Sequence, residues 1–213
     1  LLLVEFAEED MAENERRLRQ LHEMMGDLGF GWDKGAAWRG GVVDAIDPGM
    51  QGRIAEWRKS GLNIMMSEKS EAKPVSFLED CAVELKDLAE YTDKLTAIFD
   101  RNGVKGTWYA HASVGCLHVR PVLNMKQAGG AETMRAIAEE AFELVRSFGG
   151  SHSGEHGDGI VRSEFNDRMF GPVLPDLFRQ VKATFDPHGM FNPGKITDAP
   201  KMDDRELFRF APG

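Results

Sequence analysis

Residues 131–148 set the first limit on the fold. Met134, Ile137, Ala138, Ala141, Leu144, Val145 and Phe148 recur at three- and four-residue steps and line one face of a helix. Gly149-Gly150 ends it. A one-sided helix needs an apolar surface to cover. Strands are expected at about Val104–His111 and Leu117–Leu123. In the second, Leu117 and Val119 share one face while Cys116, His118 and Arg120 share the other. That pattern is a polar site backed by a core.

The rest of the chain alternates in the same way. Residues 1–6 read as a strand, and Glu8–Leu28 as a helix carrying Leu18, Leu21, Met25 and Leu28. Acids fill its first turn, which suits the helix dipole. Gly35–Gly41 reads as loop, Val42–Ile46 as a short strand, Asp47-Pro48-Gly49 as a turn, Ile54–Ser60 as a short helix and Glu68–Lys73 as loop. Val75-Ser-Phe-Leu-Glu-Asp80 then repeats the character of Val4-Glu-Phe-Ala-Glu-Glu9, and a second helix with Leu85, Leu88, Leu95, Ile98 and Phe99 follows it to Asn102-Gly103. Two β-α-β units of similar size predict a duplicated α+β domain, its antiparallel sheet carrying helices on one side. A last helix is expected at Leu174–Phe185, stopped by Asp186-Pro-His-Gly189, with a polar tail after Ile196.

The chain has 213 residues, which suits one domain or two small halves sharing a core. Lys and Arg total 26 against 35 Asp and Glu, a net charge of −9. A global basic field for nucleic acid or an anionic membrane is excluded; a local basic pocket is not. No apolar run approaches the length of a membrane span, and no signal peptide is visible. Two cysteines, Cys81 and Cys116, make no disulfide framework, so a reducing, cytoplasmic compartment is expected. The chain starts Leu1-Leu-Leu-Val-Glu-Phe6 without an initiator Met, and is expected to be a piece of a longer polypeptide.

Four of the six histidines fall in two segments. In His111-Ala-Ser-Val-Gly-Cys-Leu-His118 the seven-residue gap would turn the imidazoles to opposite faces of one straight strand. A turn at Ser113–Gly115 would fold the strands into a hairpin and bring both histidines to one end. The alternative is two buried histidines satisfied by backbone carbonyls. The second segment, Gly149–Gly159, holds five glycines with His152, Glu155, His156 and Asp158. It matches neither a dinucleotide fingerprint nor a Walker loop, and its acids argue against a phosphate cradle. It reads either as a flexible surface loop or as a site offering a carboxylate beside an imidazole.

His111, His118 and Glu155 together make a ligand set suited to Zn²⁺ or Mn²⁺ with positions open for substrate, and His156 would stand beside it as a base. Cys116 is either a soft ligand or a small buried residue. Arg58 and Lys73 are scattered cations; a carboxylate substrate would need an arginine such as Arg58 or Arg120.

Three phrases, His111–His118, Ser153-Gly-Glu-His-Gly157 and Phe185-Asp-Pro-His-Gly-Met-Phe-Asn-Pro-Gly-Lys195, resemble in order and spacing the C-terminal domain of FAD-linked oxidases, the group holding D-lactate dehydrogenase, the glycolate oxidase D subunit and D-2-hydroxyglutarate dehydrogenase. Phe77-Leu-Glu-Asp80 and Val119-Arg-Pro121 look most like large bacterial proteins that fuse this module to an iron–sulfur domain. The resemblance implies an α+β cap or substrate domain of duplicated ferredoxin-like units over residues 1–198. Residues 199–213 would be a connector, and FAD would be bound mainly by a separate N-terminal domain. It implies His111, His118 and Glu155 as metal ligands and His156 as catalytic base. Arg58 and Lys73 would hold substrate carboxylates, and Asn192 would lie in the segment that reaches the flavin. The implied substrate is a small anionic 2-hydroxy acid, oxidised to a 2-oxo acid. The implied partners are the FAD domain and an iron–sulfur domain with its cluster, in a cytoplasmic protein with possible peripheral contact to a membrane. Cys116 stands where the family commonly has Asn, Arg120 where the D-2-hydroxyglutarate branch has a neutral Asn, and Leu62 where that branch has Thr. These departures bear on the substrate more than on the reaction.

Two other readings compete. A non-catalytic metal-binding or assembly module expects a metal with every position filled by protein. A metal-dependent hydrolase expects activity without flavin.

Overall fold

The computed structural model describes residues 1–32, 38–67 and 69–209, with backbone alone at 38, 39 and 62. Residues 35–37 of the expected first loop, residue 68 of the second, the Leu62 side chain and residues 210–213 of the tail lie outside that description. The chain divides into two compact units, Leu1–Gly61 and Leu62–Gly213.

In the first unit α1 spans Met11–Asp27, capped by Asp10, whose carboxylate accepts from the Ala12 amide. β1 (Phe30–Gly31) pairs in parallel with β2 (Trp38–Arg39). α2 runs Pro48–Met66, with Pro48 at the first helical position, where its missing N–H costs nothing. The expected strands at 1–6 and 42–46 are absent. Leu1, Leu2, Leu3, Val4, Val43 and Ile46 are exposed, and apolar character without a neighbouring strand to pair with gives no ladder. The helix expected at Ile54–Ser60 is only the middle of α2. The described part of this unit holds a parallel pair of two-residue strands, so it does not repeat the antiparallel sheet of the second unit.

The second unit is α+β and holds the core. β3 (Lys73–Pro74), β4 (Cys81–Ala82), β5 (Gly106–His111) and β6 (Cys116–Leu123) form an antiparallel sheet centred on β6. β5 pairs along its whole length on one side, from Gly106↔Pro121 to His111↔Cys116. On the other side β3 pairs Lys73↔Leu123 and β4 pairs Cys81↔Leu117. The strand expected over 75–80 is a bulge between these two ladders. Val75 still donates to Pro121 and Asp80 to Leu117, while the residues between leave the ladder. Ala82 bridges Ser151 beyond, through two bonds of 2.9 Å.

α3 (Leu88–Arg101) and α4 (Gly130–Ser147) cover one side of this sheet. Tyr91, Leu95, Ile98 and Phe99 of α3 meet Ile137, Ala138, Ala141 and Val145 of α4 over Leu117, Val119 and Leu123 of β6. Each such large side chain, fully buried, contributes roughly 1.5–3 kcal/mol. α5 (Asn166–Phe170) and α6 (Val173–Phe185) follow the glycine-rich segment. The polar tail is packed as far as it is described: Met202 is buried in the core, its amide bonds Glu164, and Arg205 pairs with Glu132 of α4. Met202 and Phe208 anchor a stretch whose composition is largely polar. No helix among the described residues is long and apolar enough to cross a membrane.

Candidate metal centre and its surroundings

The β5–β6 hairpin creates the site. A single turn of 3₁₀ helix at Ala112–Val114 and a left-handed Gly115 (φ 68°, ψ 16°) reverse the chain in four residues. The register puts Tyr109 opposite His118 and His111 opposite Cys116. Directly paired residues share a face, so all four stand on the side away from α3 and α4. The His111 and His118 rings meet edge to face at 5.0 Å, and Tyr109 lies 5.5 and 5.7 Å from them.

The glycine-rich segment brings the rest. Glu155 places one carboxylate oxygen 3.9 Å from His111 Nε2 and the other 3.7 Å from His118 Nε2. The His156 ring stacks on His118 at 5.1 Å. Glu79, from the bulge before β4, comes within 4.0 Å of His118 Nδ1. Two sets, His111–His118–Glu155 and Glu79–His118–His156, each bring their ligand atoms within 4.8 Å of one another.

Burial, reinforced by the neighbouring His111 and His156 and opposed by Glu155 and Glu79, lowers the His118 pKa below the ordinary value. At neutral pH the ring is therefore neutral, with a lone pair to give a cation. Its Nδ1 is buried without a hydrogen-bond partner. Two imidazoles and a carboxylate facing one point fit Zn²⁺ or Mn²⁺. Cys116 fits less well. Burial, with repulsion from Glu155 and Asp80, pushes its thiol up to about 11, so in the metal-free protein it carries a proton.

The other residues singled out from the sequence are placed differently. Arg120 projects from the same face of β6, but its guanidinium bonds Glu79 and the Ser76 hydroxyl. Lys73 pairs with Leu123, five residues beyond His118; at the usual strand rise that is roughly 16 Å along β6, outside the histidine cluster. Arg58 belongs to α2 in the first unit. Asn192, with a left-handed backbone (φ 46°), lines an open groove of about 720 Å³ together with His156, Gly157, Phe178, Phe185 and Lys195. His152 is a core residue, fully buried against Phe142, with Nε2 3.2 Å from an Asp158 oxygen.

Three residues of the site escaped the sequence reading: Glu79, Asp80 and Arg162. Glu79 and Asp80 are an acidic pair in a segment that reads as a strand, and nothing in the pattern marks one as buried. Their signal is steric. Asp80 takes φ 65°, which is rare outside glycine.

The profile of the family described as FAD linked oxidases, C-terminal domain, matches residues 1–196. Among curated relatives, D-2-hydroxyglutarate dehydrogenase of Pantoea ananatis is 35% identical over 92% of this chain and 19% of its own length. The enzyme of that name from Escherichia coli K12 is 35% identical over 95% of this chain and 20% of its own. D-lactate dehydrogenase of Archaeoglobus fulgidus is 30% identical over 62% of this chain and 29% of its own. The chain thus spans about a fifth of the length of these two D-2-hydroxyglutarate dehydrogenases.

Proposed function

Because the chain belongs to the C-terminal domain family of FAD-linked oxidases, we propose that it is the substrate-binding cap of an FAD-dependent dehydrogenase oxidising a small D-2-hydroxy acid to its 2-oxo acid. The observation that carries this reading is the convergence of His111, His118 and Glu155 on one point, with the His156 ring against them. The relatives named for D-2-hydroxyglutarate and D-lactate support the substrate class.

In this reading residues 1–198 form the cap, the following residues lead onward, and an FAD-binding domain and an iron–sulfur domain lie in the same polypeptide. His111, His118 and Glu155 would hold a divalent cation. Bound there, the cation supplies Lewis-acid polarisation of the substrate's hydroxyl and carboxylate oxygens. His156, half exposed at the mouth of the groove, takes the hydroxyl proton. The flavin supplies the acceptor for the hydride lost from Cα. Arg58 and Lys73 are the cations assigned to the substrate's carboxylates, and Arg120 joins them in that role while holding Glu79 beside His118. Asn192 stands at the groove where the flavin would approach. Leu177, Val181, Phe185, Met190 and Phe191 are exposed in this chain and would be covered by the flavin domain.

The test is His156→Ala in the complete flavoprotein. Loss of a general base lowers kcat by about 10²–10⁴-fold, with flavin content unchanged. Wild-type turnover would refute the assignment. Activity from the chain without flavin would favour a hydrolase instead.

A further inference from the structure

The glycine-rich segment carries both residues whose side chains complete the site, yet four glycines between 149 and 157 leave its backbone free to take many courses. Something outside the segment must choose one. Asp80 is fully buried and accepts from three consecutive amides of that segment. Its backbone carbonyl takes the Gly154 N–H at 2.8 Å. Its Oδ2 takes the Glu155 N–H at 2.7 Å and the His156 N–H at 2.6 Å. Its Oδ1 faces Arg162, whose guanidinium also bonds the carbonyls of Glu79 and Gly157. Arg162 therefore grips both ends of the arrangement, the bulge and the glycine segment. Burial alone would raise the Asp80 carboxyl; the amides of His156 and Glu155 and the guanidinium outweigh it and hold the carboxyl below its ordinary value.

We propose that Asp80, held by Arg162, is a positioning residue whose carboxylate sets the backbone of Glu155 and His156 so that their side chains meet the β5–β6 histidines. The proposal rests on the reading of Glu155 and His156 given above. The chemistry of the clamp requires a carboxylate. Two amide donors on one oxygen and a guanidinium on the other need an acceptor on both sides, which only an ionised acid offers. Asparagine keeps the shape but turns one side into a donor, aimed either at the amides or at Arg162. The left-handed backbone of Asp80 fits the same account: it bends the bulge so that carbonyl and carboxylate both face the segment.

The experiment is a double-mutant cycle in the complete flavoprotein, pairing Asp80→Asn with His156→Ala. Flavin content and thermal midpoint are recorded for every variant, and peptide-level hydrogen–deuterium exchange is followed over residues 153–158. Asp80→Asn is expected to lower kcat by about 10- to 100-fold, the range for groups that orient a ligand from behind, and to speed exchange in that peptide. In the His156→Ala background the same substitution is expected to cost clearly less, the remaining loss passing through Glu155, whose amide Asp80 also holds. Arg162→Lys, which keeps the charge but loses the fork, should give a milder copy of the pattern and stands in if Asp80→Asn fails to fold. Equal losses in both backgrounds, or unchanged exchange over 153–158, would overturn the proposal and leave Asp80 a stability residue. If His156→Ala is crippled while Asp80→Asn and Arg162→Lys turn over normally, the clamp fails alone. Wild-type rates for both His156→Ala and Glu155→Ala would remove the catalytic reading and the positioning role with it.

Discussion

Gly115→Ala is expected to destabilise the chain far more than an alanine at another left-handed glycine. Gly115 sits at φ 68°, where a residue with a Cβ loses roughly 1–2 kcal/mol. An added Cβ would also overlap the Val83 carbonyl oxygen and stand 3.1 Å from its carbon. These are backbone atoms and cannot swing aside, so the strands must part, at about 1–3 kcal/mol for overpacking. Parting them threatens the Val83 N–H to Gly115 carbonyl bond of 3.1 Å, worth about 1 kcal/mol. The total is about 3–6 kcal/mol, a large share of the roughly 5–15 kcal/mol that holds a domain folded. Gly103 is the control. It has φ +65° with nothing within 4 Å of an added Cβ, so Gly103→Ala should lose only the conformational cost of about 1–2 kcal/mol. Urea unfolding of both variants and the parent, with unchanged m-values, measures the difference. Equal losses would show that the hairpin accommodates the methyl and that its fit against Val83 does not fix the turn.

Two further outcomes follow from the electrostatics. Asp186 is held at about 2 by Lys182 and the amides of Phe191 and Met190. A depressed carboxyl gives stability that is complete above its ordinary value of 3.8 and lost as pH falls through about 2. The unfolding midpoint should therefore drop more steeply between pH 4 and pH 2 in the parent than in Asp186→Asn; parallel curves would count against the turn at 186–191 as a stabilising element. Burial pushes the thiols of Cys116 and Cys81 up to about 11 and about 12, so both should react with a thiol reagent at neutral pH only after unfolding. Fast reaction of one equivalent in the folded chain would contradict the packing around Cys116.

What the sequence revealed depended on how local the cause was. The stripe on 131–148 became α4, because one apolar face repeated over four turns has a single solution. The alternation Cys116–Leu117–His118–Val119–Arg120 placed its residues on the two faces that β6 presents, because the pleat has a period of two. Residues 1–6 misled: Leu1–Phe6 has strand composition, but a strand exists only with a partner, and partners lie beyond local pattern. The packing of the tail escapes composition, since it rests on Met202, on the Glu164 carboxylate and on the Arg205–Glu132 pair, all contacts with distant residues. The bond of Arg120 to Glu79 is not legible in the sequence, because the partner lies 41 residues earlier, inside a bulge that reads as strand. Asp80 was invisible for the same cause: its role is defined by amides 75 and 76 residues away.

For anyone wishing to redesign this protein, β6 is a poor place to begin. Val119 is wholly buried in the core, while His118 and Arg120 on either side of it face the chemistry. One peptide unit separates the two roles, so no substitution there changes one without disturbing the other. The groove beside Asn192 offers the reverse. Its walls at Val181, Phe185 and Phe191 are exposed and belong to no core, so new side chains there leave the sheet that holds the histidines as it is and act on the face proposed to meet the flavin domain.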